Sequence, residues 1–360
     1  MILLLVIIDL GIVASTGSIQ GLMMFFAGVG IQGFIFINNK LKSKVYNGFY
    51  AIICVIATFL TIMGLSNKGP LSKFLFAPSI VFRTDYWHAG WAMTLKSPIF
   101  GVGLDSYGDW YRTLRGEIST LRTGPDRIAN TAHNIFLDLS SNGGLPLIIS
   151  YVLILIVTFR SAIIFLKSNS NPHSIALFTA WIGFVIFSTI SIGQIGVGIW
   201  GWLFTGSILG LQKKSSTGSI NSDKENKKKK KQNIQKGYLN PGMSLIGFAG
   251  FATGIVLSSI PFAADVNFKN AMNTRAMDKI ISSLNNPGVT SFHYEVALTL
   301  AFNNQLSEQS HFIAQSLVRK YPLNFTGWQA IYISNLSTNE EKRLAIQNLR
   351  ELDPYNPNLK

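Results

Sequence analysis

The run Pro146–Leu166, PLIISYVLILIVTFRSAIIFL, carries a single charge, Arg160. A bilayer core of ~30 Å needs roughly 20 apolar helical residues, so this stretch predicts a membrane span. Six more runs read the same way: Met1–Ser15, Gln20–Ile37, Tyr46–Leu65, Ser174–Ile192, Val197–Leu211 and Met243–Phe262. Composition agrees, because 360 residues that are 48% hydrophobic and 13% charged, with 25 Phe and 7 Trp, are too apolar for an ordinary soluble domain. The fold class predicted is all-α, a polytopic membrane helical bundle with a large loop between the third and fourth spans and a soluble helical tail.

Short basic loops set the orientation. Lys40, Lys42 and Lys44 follow the second span, Lys167 follows the fourth, and Lys227–Lys231 follow the sixth. All three place the N-terminus in the cytoplasm and put Asn67–Leu145 and the tail from Asp265 on the far side. The charge of +14 does not point to nucleic acid, since nine of the 31 Lys and Arg fall within Lys213–Lys236. That segment reads as a disordered cytoplasmic linker near anionic lipid headgroups. One cysteine, Cys54, lies inside an apolar run, so no disulfide framework or cysteine metal site is available. Met1–Ser15 lacks a basic lead and precedes another apolar run, which argues for a span over a cleaved signal peptide. So abrupt an apolar start is expected of a chain that begins inside a longer protein. The division predicted is a membrane domain at 1–211, with its large far-side loop at 67–145, a basic linker at 212–242, a last span at 243–264 and a tail at 265–360.

In the tail, amphipathic patterning predicts short helices at Ser291–Asn303, Ser307–Lys320, Trp328–Ser334 and Asn339–Leu352. Two segments match at a fixed offset: AQSLVRKYPLN from Ala314 and IQNLRELDPYN from Ile346, pairing Leu317 with Leu349, Pro322 with Pro354 and Asn324 with Asn356. This resembles tetratricopeptide repeats, whose helix pairs stack because neither buries its apolar face alone. Fewer than about three units is marginal, which implies packing on a partner or on the membrane domain. An irregular helical cap is the alternative.

The chemistry lies in the long loop, in FRTDYWHAGWAMTLKSPIFGVGLDSYGDWY (Phe82–Tyr111) and NTAHNIFLDLSSNGGLPLIISY (Asn130–Tyr151). Phe82–Leu95 has helical spacing, Pro98 stops that helix, and Gly101 and Gly103 allow a tight turn before Tyr107, Trp110 and Tyr111. Thr131–Leu139 then begins another helix, with His133 and Asn134 in its first turns.

An Arg early in an amphipathic helix, a following Trp, Pro-x-x-Gly-Val-Gly, then Ala-His-Asn-x-Phe-Leu and a Gly pair together resemble the O-antigen ligase and polymerase family, over about Met1–Leu211. The earlier STGSIQG, Ser15–Gly21, resembles a further family position, but Ile19 stands where an Arg often follows Ser, leaving that basic role unfilled. The resemblance implies a membrane glycosyltransferase of the C-type fold in a bacterial inner membrane, with the long loop and the tail periplasmic, that moves a glycan from undecaprenyl diphosphate to an acceptor hydroxyl, in lipopolysaccharide or surface polysaccharide biosynthesis. It implies no metal or nucleotide cofactor.

Such a transfer needs a base for the acceptor and cations for the leaving diphosphate. His133 suits the first, since imidazole titrates near neutrality. Arg83 suits the second, with a planar fork that keeps its charge. Arg112, Arg115, Arg122 and Arg127 are candidates for the same positive field, and Asn134 and Tyr107 for substrate contact. Each has a plainer reading: a hydrogen-bonded loop histidine, arginines reaching lipid headgroups, interfacial aromatic anchors. His88 reads as structural, and Asp85 and Asp105 as helix-cap or turn residues as readily as orienting groups. The acceptor is open among lipid A core, a growing glycan and a protein hydroxyl, in that order. A membrane-anchored scaffold displaying the tail is the non-enzyme alternative. A transporter fits poorly, because only Asp9 and Arg160 are charged within spans.

Overall fold

The computed structural model describes residues 2–76, 78–168, 171–222 and 241–359. Among these the protein is wholly helical, and it divides into two compact units, Met1–Lys228 and Lys229–Lys360.

In the first unit α1 (Ile2–Ser15), α2 (Ile19–Leu41) and α3 (Lys44–Leu65) follow one another through tight turns. STGSIQG is the first of these turns: Gly17 takes φ 64° and Ser18 caps α2 by accepting the Gly21 N–H. A four-residue helix α4 (Ser72–Leu75) leads to α5 (Pro78–Lys96), then α6 (Tyr107–Leu114) and α7 (Glu117–Thr123). The unit closes with α8 (Ile135–Ser168), α9 (Pro172–Ser188) and α10 (Ile195–Ser222). Ile19–Asn38, Lys44–Leu65, Ile135–Lys167 and, in the second unit, Leu245–Asn273 are long and apolar enough to cross a membrane, while Val6–Ser15, Pro172–Ser188 and Ile195–Leu211 are shorter. The chain is therefore a polytopic integral membrane protein. Large side chains such as Phe26, Phe49, Val55 and Phe59 are exposed along the spans; acyl chains solvate such surfaces and water does not. Cys54 shares that exposed face of α3. Where spans meet, Ala162, Trp181 and Ile208 form a buried cluster, with Trp181 Nε1 donating to Thr205 Oγ1 at 3.0 Å.

Three boundaries differ from the sequence expectation. Thr131–Leu139 is not one helix: α8 starts at Ile135, and His133 and Asn134 precede it. Asn134 is the cap, its Oδ1 accepting the Phe136 and Leu137 N–H groups at 3.0 and 3.2 Å, and His133 takes φ 54°, incompatible with a helix. The expected start of the fourth span at Pro146 fits the break at Gly144 (φ 74°, ψ −177°), which separates the first turns of α8 from the membrane-crossing part. Helix α10 continues through Ser222, ten residues into the segment expected to be a disordered linker; residues 223–240, with the lysine run, lie outside the described residues.

The third difference is in the second unit. Helix α11 (Pro241–Asn273) does not end with the last span, and its Ala264, Phe268 and Ala271 enter the core of the tail. A helix α12 (Met277–Ser283), not anticipated, precedes α13 (Ser291–Asn303), α14 (Ser307–Lys320), α15 (Phe325–Ile333) and α16 (Asn339–Leu352). α15 starts three residues before the expected Trp328 because Asn324 caps it through the Gly327 N–H. The two matched segments adopt one backbone turn: Tyr321 (φ −128°, ψ 79°) and Asp353 (φ −139°, ψ 71°) end their helices alike, and Asn324 and Asn356 donate back to them at 3.0 and 3.1 Å. Leu317 and Leu349 are both buried.

Candidate active site

The long loop of the first unit is a packed domain with its own core. Tyr86, Ala89, Met93, Tyr107, Tyr111, Ala129 and Ala132 are buried together, flanked by Phe82, Trp87, Trp110 and Leu137. The Tyr107 hydroxyl donates to the Tyr86 carbonyl at 2.5 Å, and burial raises its pKa. The two motif halves interlock through backbone. Val102 N–H donates to Ser141 O and Leu145 N–H to Pro98 O, each at 2.7 Å. A Cβ on Gly101 would lie 2.4 Å from the Asn142 carbonyl carbon, and one on Gly144 2.2 Å from Ile99 O, while φ is +66° and +74° at the two. Glycine is thus required twice over, by contact and by conformation.

That lock brings Arg83, Tyr86 and His133 together. Arg83, Tyr86 and Trp87 are at i, i+3 and i+4 of α5, on one face, and the His133 ring stacks on Tyr86 with centroids 5.4 Å apart. Burial, and secondly the Arg83 charge, hold the His133 imidazole below its usual pKa, so it is neutral at neutral pH. Burial also lowers the pKa of Arg83, and its Nε is buried without a hydrogen-bond partner, as is Trp87 Nε1. Orphaned buried donors are costly.

His133 is held in its left-handed conformation by Asp138, a residue the sequence reading passed over. Its Oδ1 accepts the Ala132 N–H at 2.6 Å, and Thr131 Oγ1 accepts the His133 N–H at 3.3 Å. Asp138 lies before the Gly144 break, outside the span, and burial raises its pKa to about 6. The only sequence sign of it was a carboxylate about two turns before an apolar run.

The other expected residues are placed differently. Arg115 is fully buried and donates to the Arg127 and Pro125 carbonyls at 2.9 and 3.0 Å, and Arg112 donates to Pro125 O at 2.6 Å; both staple the 125–127 loop. Arg122 pairs with Asp85 at 3.2 Å. Arg127 lies over the Phe82 ring at 4.6 Å, beside Arg83 in sequence. Tyr107 is corrected as a sugar contact, because its side chain has no exposed surface; Tyr111 is equally buried. Trp110 lies under the Lys96 ammonium at 4.5 Å. Asp105 is an exposed turn residue with φ 58°, and His88 is exposed. Asn134 is a helix cap, as described.

Residues 3–152 match the family described as O-antigen ligase. Over this segment, under half of the chain, the protein is similar to the O-antigen ligase family. The match spans both loop motifs, Arg83, His133 and Asp138, and it ends early in the fourth span. That similarity points, in general terms, to glycan processing of glycosyltransferase type, with a lipid-linked glycan and an acceptor as substrates. No curated protein and no solved structure matches the chain.

Proposed function

We propose that the protein transfers a glycan from undecaprenyl diphosphate to an acceptor hydroxyl on the periplasmic face of a bacterial inner membrane, as an O-antigen ligase does. The observation that carries the proposal is the cluster of a neutral imidazole, His133, within the field of a partly buried guanidinium, Arg83, whose Nε has no partner. In this reading His133 takes the acceptor proton as the hydroxyl attacks the anomeric carbon. Arg83 holds the diphosphate as the glycosidic C–O bond breaks and negative charge grows on the leaving oxygen. Arg127, over Phe82, and the more exposed Arg122 add to the positive field, while Arg112 and Arg115 act by fixing the loop. Asn134 contributes by setting the start of α8 beside His133.

Lipid A core is the first acceptor proposed and a growing glycan chain the second. A protein acceptor is a further reading, favoured by one observation: α13, α14 and α15 of the tail enclose a groove of about 870 Å³ lined by Phe302, Asn303, Gln329 and Asn335 among others, the kind of concave surface that stacked helix pairs of tetratricopeptide type present to partners.

The test is transfer from a radiolabelled undecaprenyl-diphosphate glycan in membranes containing each variant. His133→Ala is expected to lower the rate by ~10²–10⁴ and Arg83→Ala by ~10²–10³. The acid limb of the native pH–rate profile is expected below the usual imidazole value of 6.5. Full activity in both folded variants would overturn the assignment.

A further inference from the structure

Helix α5 is tied at both ends to one face of the membrane. At its start, α4 docks on the last turn of the α3 span: a Cβ on Gly64 would lie 2.9 Å from Leu75 Cδ1 and 3.1 Å from Leu71 Cβ, and α5 begins at Pro78. At its end, Pro98–Val102 is bonded to the head of the α8 span through Leu145 N–H to Pro98 O and Val102 N–H to Ser141 O. No candidate span lies between Leu65 and Ile135 among the described residues, so both attachment points are on the same side. A 19-residue helix, ~28 Å long at ~1.5 Å per residue, is thereby held along the bilayer surface.

From the middle of this helix through the turn after it runs a row of large apolar side chains that the protein leaves uncovered: Trp91 55%, Leu95 63%, Ile99 61%, Phe100 82% and Leu104 78% exposed. Trp91 and Leu95 are i, i+4 neighbours on one helix face. The row continues into the lipid-facing surface of α8, where Leu145 and Ile149 are exposed in turn. The charged groups beside it, Lys96 and Asp105, are exposed and suit the headgroup level. Isolated apolar residues on a surface need no explanation, but five large ones exposed between positions 91 and 104, in a segment bonded to the head of a membrane span, do.

We propose that Trp91, Leu95, Ile99, Phe100 and Leu104 form an interfacial anchor, with Phe100 and Leu104 inserted below the lipid headgroups. The occupant is the bilayer itself, because the patch is continuous with the lipid-facing surface of the span to which it is bonded. The anchor holds α5, and with it the Arg83–Tyr86–His133 cluster, at the membrane surface. It does not depend on what that cluster catalyses.

The single cysteine makes a direct test possible. In a Cys54→Ser background, Phe100→Cys and Leu104→Cys are separately labelled with a nitroxide, and the full chain is placed in vesicles of phosphatidylethanolamine and phosphatidylglycerol. Power-saturation spectroscopy then compares collision with oxygen, which partitions into lipid, against a water-soluble nickel chelate. Phe59→Cys, on the exposed face of the α3 span, is the lipid reference, and Glu340→Cys, on the exposed start of α16, the water reference. The expected result is an oxygen-to-nickel ratio at 100 and 104 several-fold above that at 340 and toward that at 59. A ratio equal to that at 340 would overturn the anchor. Exclusion of both agents would overturn it too, since protein would then cover the face. Both side chains are so exposed that their replacement removes little packing, and a loss of transfer activity with the ratio preserved would leave the anchor standing.

Discussion

The backbone around His133 depends on one carboxylate. A non-glycine residue at φ 54° is costly by ~1–2 kcal/mol, and it persists because Asp138 takes the Ala132 N–H. The native carboxyl keeps its proton up to about pH 6, against 3.8 for the free side chain. Between those values the folded state binds more protons than the unfolded one, so stability falls as pH rises through the window and is level above it. The slope amounts to roughly 3 kcal/mol in all. Asp138→Asn keeps an acceptor for Ala132 and should abolish this slope. Asp138→Ala leaves a buried N–H unpaired and should cost ~1–3 kcal/mol, with activity falling as His133 loses its setting. Thermal unfolding in detergent across pH 4–7 checks both, and an unchanged slope in Asp138→Asn would assign the proton elsewhere. At this scale His133 and Arg83 stood out as candidates from residue type and motif. Asp138 was not, because its role rests on a bond to a backbone group six positions away that no spacing rule announces.

Among elements, the joint between the Pro98–Gly103 turn and the Gly143–Gly144 break decides whether the loop meets the membrane domain correctly. Gly101→Ala and Gly144→Ala each add a backbone collision to a positive φ. Losses above ~4 kcal/mol, or failure to accumulate as folded protein, are expected. Gly124→Ala is the control: φ is +83° there, but nothing lies within 4 Å of the new Cβ, so only strain of ~1–3 kcal/mol follows. Thermal stability of the three purified variants distinguishes them, and equal losses would refute the collision argument. The sequence reading assigned Gly101 and Gly103 to a turn, correctly as far as it went. That Gly101 and Gly144 fit against each other's strands of chain, over forty residues apart, required the fold.

The whole molecule has two compact units with separate cores. Leu317→Ala and Leu349→Ala each empty an equivalent core position in the second unit and should cost ~2–5 kcal/mol. Hydrogen exchange read by mass spectrometry should show faster exchange through α13–α16, with protection around Tyr107 and Tyr111 unchanged. Equal loss in both places would mean that the cores are coupled. The tail was the most legible region: α13, α14 and α16 have the predicted bounds, because short amphipathic helices between polar turns announce themselves in the 3.6-residue period. Its junction was misread, since the end of an apolar run marks where lipid contact stops and not where a helix stops; α11 runs on to Asn273.

Sequence alone determined the apolar runs, the helical class and the pair of loop motifs, because these follow from local hydrophobicity and residue chemistry. Only the tertiary structure decided which polar groups are used up and which remain open. Four arginines looked alike in the sequence; burial and neighbouring carbonyls bind Arg112 and Arg115 into the loop, a carboxylate engages Arg122, and Arg127 rests on Phe82. Arg83 keeps a buried donor unpartnered beside a neutral imidazole, because desolvation and pairing depend on distances across the fold and not on order along the chain.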